Sequence, residues 1–155
     1  MRLNFLRACW NSTATVFCID PWVREPWIAE LEATIPGCPE FCREAFDKYT
    51  RDCANIVPLR GYSPLDFKDW VEPVDIVFDD AVHSNPAFRK NVKFWLRHLK
   101  AGGILCGHDY SEEFPDVYRT VDKLAARLGA TVQTVETFWW LINPKSRKHF
   151  LHSLF

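Results

Sequence analysis

Along this chain, short apolar runs alternate with stretches whose apolar residues recur at helical spacing. Thr15–Ile19, Asn55–Leu59, Val74–Phe78 and Ile104–Cys106 have strand character, and each is stopped by polar or glycine residues: Asp20-Pro21, Gly61, Asp79-Asp80 and Gly107-His108-Asp109. Between them Cys42, Ala45, Phe46, Tyr49 and Cys53 fall at helical offsets, and so do Phe88, Val92, Trp95, Leu96 and Leu99. Pro86 suits the first turn of that second helix, with Asn85 or Ser84 as its cap, and Gly102-Gly103 supplies a left-handed residue to end it. A third helix carries Val117, Val121, Leu124 and Leu128 on one face and closes at Gly129. Thr131–Val135 and Phe138–Ile142 read as a terminal strand pair, antiparallel because the Glu136-Thr137 break is too short for a crossover. Strands alternating with helices predict an α/β fold, its sheet mostly parallel with an antiparallel terminal pair. With no linker, repeat or low-complexity segment, residues 1–155 are expected to form a single domain.

Composition narrows the function classes. A hydrophobic content of 48%, with 15% aromatics, suffices for a core on both sides of a sheet. The formal charge of −1, from 19 basic and 20 acidic residues, leaves no surplus to hold nucleic acid, so a small molecule is the expected partner. Met1–Trp10 holds Arg2, Asn4 and Arg7 and no apolar stretch of signal length, and no membrane span follows, so a cytoplasmic protein is expected. The six cysteines are read as thiols, Cys18 and Cys106 lying inside apolar runs. Cys38 and Cys42 are spaced as one half of a zinc site, but Cys53 and His83 do not form a second close pair, which disfavours structural zinc.

In an open parallel sheet, ligands bind beyond the carboxyl ends of the strands. Asp20, then Gly61-Tyr62-Ser63, then Asp80 with His83, then His108-Asp109 all follow strands in this way. Each has a structural reading: Asp20 before Pro21 as a turn former, Ser63 before Pro64 as a helix cap, Asp79-Asp80 as a solvated acidic turn, His83 as a cap. An acid in the place of Asp20 also suits both hydroxyls of a ribose. His108-Asp109 is the hardest to explain structurally, because it sets an imidazole and a carboxylate directly after a buried strand.

The stretch DIVFDDAVHSNPAFRKNVKFWLRHLKAGGILCGHDYSEEFPDV, Asp75 to Val117, resembles class I S-adenosylmethionine-dependent methyltransferases, with an acid and histidine after the fourth strand, a Gly-Gly turn, and His-Asp-Tyr after the fifth. VFCIDPW resembles their second strand and PLRGYSPL their third, so the likeness runs from about Val16 to Ile142. The resemblance implies a Rossmann-like sheet and S-adenosylmethionine as cofactor. Asp20 would bind the ribose hydroxyls with Trp22 beside it, Gly61, Tyr62 and Ser63 would line the adenine pocket, and Asp80 and Ala81 would face the methionine end. His83, His108 and Asp109 would ready a small-molecule methyl acceptor at an oxygen or nitrogen. Some relatives hold a divalent metal, and Asp80, Asp109 and His108 occupy the corresponding places. Magnesium prefers oxygen ligands, whereas manganese accepts the nitrogen more readily.

One departure stands out. The family's first strand and glycine-rich loop should precede Val16, but Met1–Ala14 contains no glycine, and Leu3, Phe5, Leu6 and Trp10 resemble the helix after that loop. The expectation is a shortened domain whose first strand is missing, with weakened cofactor binding and an unpaired strand edge that a second copy or a strand-donating partner would cover. Two other functions fit the same residues: a non-catalytic binding domain, and a metal-dependent hydrolase or oxygenase-like site on Asp80, His108 and Asp109.

Overall fold

The computed structural model describes residues 13–24, 26–34 and 42–144, so Leu3, Phe5, Leu6, Trp10 and Cys38 lie outside it, as does the segment on which the missing-strand expectation rests. The chain forms two compact units, residues 1–67 and 68–155.

In the first unit, β1 (Val16–Asp20) pairs in parallel with β2 (Ile56–Arg60), Val16 facing Ile56 and Asp20 facing Arg60. Two helices connect them, α1 (Pro26–Thr34) and α2 (Arg43–Thr50). Sequence spacing pointed to α2 alone; α1 opens on Pro26, whose fixed φ and missing N–H suit a first helical position. Cys42 caps α2 in an extended conformation, its Sγ accepting the Ala45 N–H at 3.3 Å. The Gly61 N–H donates to the Asp20 carbonyl at 3.1 Å, so the pairing continues past β2 into the glycine turn.

The second unit contains β3 (Val74–Asp79), α3 (Ala87–His98), β4 (Leu99–Gly107), α4 (Pro115–Leu128), β5 (Gln133–Val135) and β6 (Phe138–Ile142). The strand order is β3-β4-β6-β5, with β3 and β4 parallel and β6 antiparallel to both neighbours, which gives the expected terminal pair. Strand alternation turns Leu105, Trp139 and Leu141 to one face, where they form the core with Phe88, Val92 and Leu96 of α3 and Val117, Val121, Ala125 and Leu128 of α4. Burying each such side chain contributes about 1.5–3 kcal/mol, and this core fixes the carboxyl ends of β3 and β4.

Two boundaries differ from the sequence reading. Helix α3 starts after Pro86, and the Asn85 side chain accepts the Arg89 N–H at 3.2 Å. It ends at His98 rather than at Gly102-Gly103. Buried Asn143 explains the early stop, because its Nδ2 donates to the carbonyls of Leu99 and Lys100 at 3.1 Å each and satisfies backbone that has left the helix. Gly102, at φ 75°, then takes the left-handed turn in the irregular start of β4, where Val74 pairs with Leu99 but Ile76 with Ile104. Gly129, at φ 65°, closes α4 as expected. Among the described residues, no helix is long and apolar enough to cross a membrane.

Candidate active site

The carboxyl ends of β3 and β4 are neighbours because the strands are parallel and Asp79 is in register with Gly107. Asp79 shares the core-facing side of β3 with Val77 and is buried; its Oδ2 accepts from Asn91 Nδ2 at 2.7 Å and its Oδ1 from the Ala81 N–H at 3.4 Å. Burial pushes its carboxyl up to about 6, against the lowering effect of those two bonds. It anchors the loop that follows, and Asn85 fastens the far end of that loop, donating from its backbone N to Asp116 Oδ2 at 2.8 Å and from Nδ2 to Thr120 Oγ1 at 3.1 Å.

Asp80 and His83 stand on this loop, and Asp109 follows β4. Side-chain atoms of the three lie within 4.8 Å of one another, a grouping able to hold a cation. His83 Nε2 is 3.0 Å from Asp109 Oδ2 and 3.7 Å from Asp80 Oδ1. Among the described residues the nitrogen is nevertheless buried with no hydrogen-bond partner. The ring is held against Phe114 with centroids 5.1 Å apart. Contact with Asp80 and the charges of Asp109 and Asp79 raise the imidazole's pKa above its ordinary value, against burial, which lowers it. A buried imidazole nitrogen beside two acids fits a bound cation or the polar atom of a ligand.

His108 is differently placed from its sequence expectation. Its Nδ1 lies 2.9 Å from Asp109 Oδ1 and its Nε2 2.8 Å from Thr137 Oγ1, so both ring nitrogens are engaged, and His83 completes the acidic cluster instead. The Trp139 indole donates to the His108 carbonyl at 3.2 Å and Tyr110 N to the Thr137 carbonyl at 2.9 Å, which pins the turn. Asp109 has φ 63°, a left-handed conformation that aspartate tolerates better than most residues and that turns its carboxylate toward His83.

In the first unit, the turn reading of Asp20 is realised: its Oδ1 accepts the Trp22 N–H at 2.6 Å, and Trp22 has φ 46°. The Gly61-Tyr62-Ser63 segment leads into a short 3-10 turn, Leu65–Phe67, with Tyr62 N donating to Asp66 Oδ2 at 2.7 Å. A Cβ on Gly61 would come within 3.0 Å of Asp66 Cβ, so close packing accounts for that glycine. Ser63 is half-buried and Tyr62 exposed. Asn91, Phe114 and Thr137 were not singled out from sequence as site residues, and Asp79, read there with Asp80 as a solvated acidic turn, is instead buried because it lies on the core-facing side of β3.

These strands and helices define the Rossmann-like fold of class I methyltransferases, and solved structures share it. A putative precorrin-6Y C5,15-methyltransferase targeted domain from Corynebacterium diphtheriae is 16% identical with a TM-score of 0.53, covering 93% of this chain and 81% of that one. The O-methyltransferase NovP is 16% identical with a TM-score of 0.63, covering 93% and 66%. The MycE methyltransferase from the mycinamycin biosynthetic pathway, in complex with Mg and SAH, is 12% identical with a TM-score of 0.55, covering 92% and 47%. No curated protein gives a significant sequence match. The family model described as a methyltransferase domain matches residues 3–110, well over half of the chain, and the chain belongs to that family.

Proposed function

We propose that this protein transfers the methyl group of S-adenosylmethionine to an oxygen or nitrogen of a small polar acceptor. Family membership supports methyl transfer, and the structural neighbours include an O-methyltransferase and a methyltransferase complexed with Mg and SAH. The observation that carries the site assignment is the buried His83 nitrogen, 3.0 Å from Asp109 and 3.7 Å from Asp80.

In such a transfer the acceptor's electron pair attacks the methyl carbon, the sulfonium sulfur keeps the electrons of the broken bond, and the acceptor gives up a proton. His83 takes that proton at Nε2, and the two flanking carboxylates stabilise the imidazolium that results. Asp109 is held for this by His108, a positioning residue. Asp20 binds the ribose hydroxyls, with Trp22, Gly61, Tyr62 and Ser63 on the adenine side. The carboxylates of Asp80 and Asp109 fit a divalent cation, Mg or Mn, which when bound supplies positive charge that favours the deprotonated acceptor.

The test is transfer of labelled methyl to a panel of small hydroxyl and amino compounds by wild type and His83→Gln. A base role predicts a loss on the order of a hundredfold or more in the variant with unchanged S-adenosylhomocysteine binding. Equal rates in the two proteins would remove His83 from the mechanism.

A further inference from the structure

We propose that Thr137 is a positioning residue for methyl transfer: its hydroxyl fixes the His108 ring, so that His108 holds one oxygen of Asp109 and leaves the other for His83. This rests on the reading of His83 and Asp109 as the working pair. The residues come from two turns of the second unit. His108 and Asp109 follow β4, and Thr137 stands in the two-residue turn between β5 and β6, where Val135 pairs with Phe138.

Three bonds join these turns. Thr137 Oγ1 lies 2.8 Å from His108 Nε2, the Thr137 carbonyl accepts the Tyr110 N–H at 2.9 Å, and the Trp139 indole donates to the His108 carbonyl at 3.2 Å. Two-residue hairpin turns favour glycine where φ is positive, yet Glu136 takes φ 54°. Such a conformation persists where surrounding contacts hold it, and the bonds to the turn after β4 supply them. The hairpin therefore carries Thr137 to His108 as well as joining two strands.

The direction of the bonds follows from what each group can do. An ionised carboxylate only accepts, so His108 Nδ1, 2.9 Å from Asp109 Oδ1, carries a proton. In the neutral ring Nε2 is then an acceptor, and the Thr137 hydroxyl donates to it. In the charged ring Nε2 donates and the same hydroxyl accepts. A hydroxyl serves both states, whereas a carboxylate would serve only the charged one and an apolar side chain neither. With Nε2 engaged, the ring does not turn its Nδ1 proton away from Asp109, and Asp109 Oδ2 stays 3.0 Å from His83 Nε2.

Two measurements test this. Long-range proton–nitrogen NMR of the full chain at alkaline pH reads which nitrogen of a neutral imidazole carries the proton, with His108→Ala assigning the signal. Wild type and Thr137→Ser are expected to show His108 protonated at Nδ1. Thr137→Val keeps the other two bonds between the turns, and it should show a mixture with the Nε2 form that free imidazole prefers. Methyl transfer then measures the consequence. Thr137→Val should lower kcat roughly fivefold to tenfold with S-adenosylhomocysteine affinity unchanged, and Thr137→Ser should restore the rate. In a His108→Ala background Thr137→Val should cost nothing further, because it acts through that ring. Protonation of His108 at Nε2 in wild type, an unaltered tautomer in Thr137→Val, or an equal cost of Thr137→Val in both backgrounds would overturn the assignment. A wild type that transfers no methyl group would sink the reading of the reaction, while the NMR comparison still decides whether Thr137 holds the ring.

Discussion

His83 Nε2 lies 3.0 Å from Asp109 Oδ2, while the other oxygen of the same carboxylate, Oδ1, lies 2.9 Å from His108 Nδ1. One aspartate therefore serves two histidines. The other His108 ring nitrogen is engaged by Thr137, whereas His83 Nε2 is buried beside the carboxylate.

The metal assignment follows from that division. Titration with manganese or magnesium should give saturable heat for wild type, and Asp80→Ala and Asp109→Ala should remove it. His108→Ala should weaken the ion only partly, since it acts through Asp109; His108→Ala as damaging as Asp109→Ala would return His108 to the ligand set. Negligible heat in every titration would remove the ion.

Histidine titration by NMR, in chelator, checks the electrostatics. The His83 pKa stands above its ordinary value, chiefly through contact with Asp80. Asp80→Asn should therefore shift its midpoint down. A raised folded-state pKa means that the pair's stabilising contribution is complete below the unfolded value and lost as pH rises through the folded one. A midpoint unmoved by Asp80→Asn would contradict the assigned cause.

Asp79 gives the opposite use of a carboxyl. Its pKa is raised from 3.8 to about 6 by burial, so the folded state binds more protons than the unfolded state between those values. Stability is highest below the unfolded value and falls as pH rises from about 4 to about 6, by a few kcal/mol. Urea unfolding across that range should show the fall in wild type and not in Asp79→Asn, in which the Asn91 amide can turn over to accept. Parallel curves for the two proteins would refute the assignment.

Gly107 is a packing glycine. A Cβ there would strike the Asp79 carbonyl and come within 2.8 Å of the Trp139 ring, both parts of the core-side frame of the site. Gly107→Ala should destabilise by about 1–3 kcal/mol, as overpacking does, and lower the melting temperature. An unchanged melting temperature would show that β3 and β6 yield more readily than this frame implies.

Much of this was legible in the sequence because it depends on local pattern. Short apolar runs located β3 and β6, Gly129 marked the end of α4, and the short Glu136-Thr137 break foretold the antiparallel pair. What escaped depends on partners distant in sequence. Asn143 ends α3 from 44 residues away, and Thr137 engages His108 from 29 residues away. From sequence His108, not His83, stood with Asp80 and Asp109 as a metal ligand; in the fold Thr137 engages His108, and His83, packed on Phe114, joins the two acids instead.

The central claim is that the chain uses S-adenosylmethionine, and calorimetry with S-adenosylhomocysteine tests it without knowledge of the acceptor. Saturable binding at high ligand concentration is predicted for wild type, weakened about tenfold in Asp20→Ala, where the hydrogen bonds to the ribose are lost. Absence of binding at millimolar ligand, or binding indifferent to Asp20→Ala, would contradict the account.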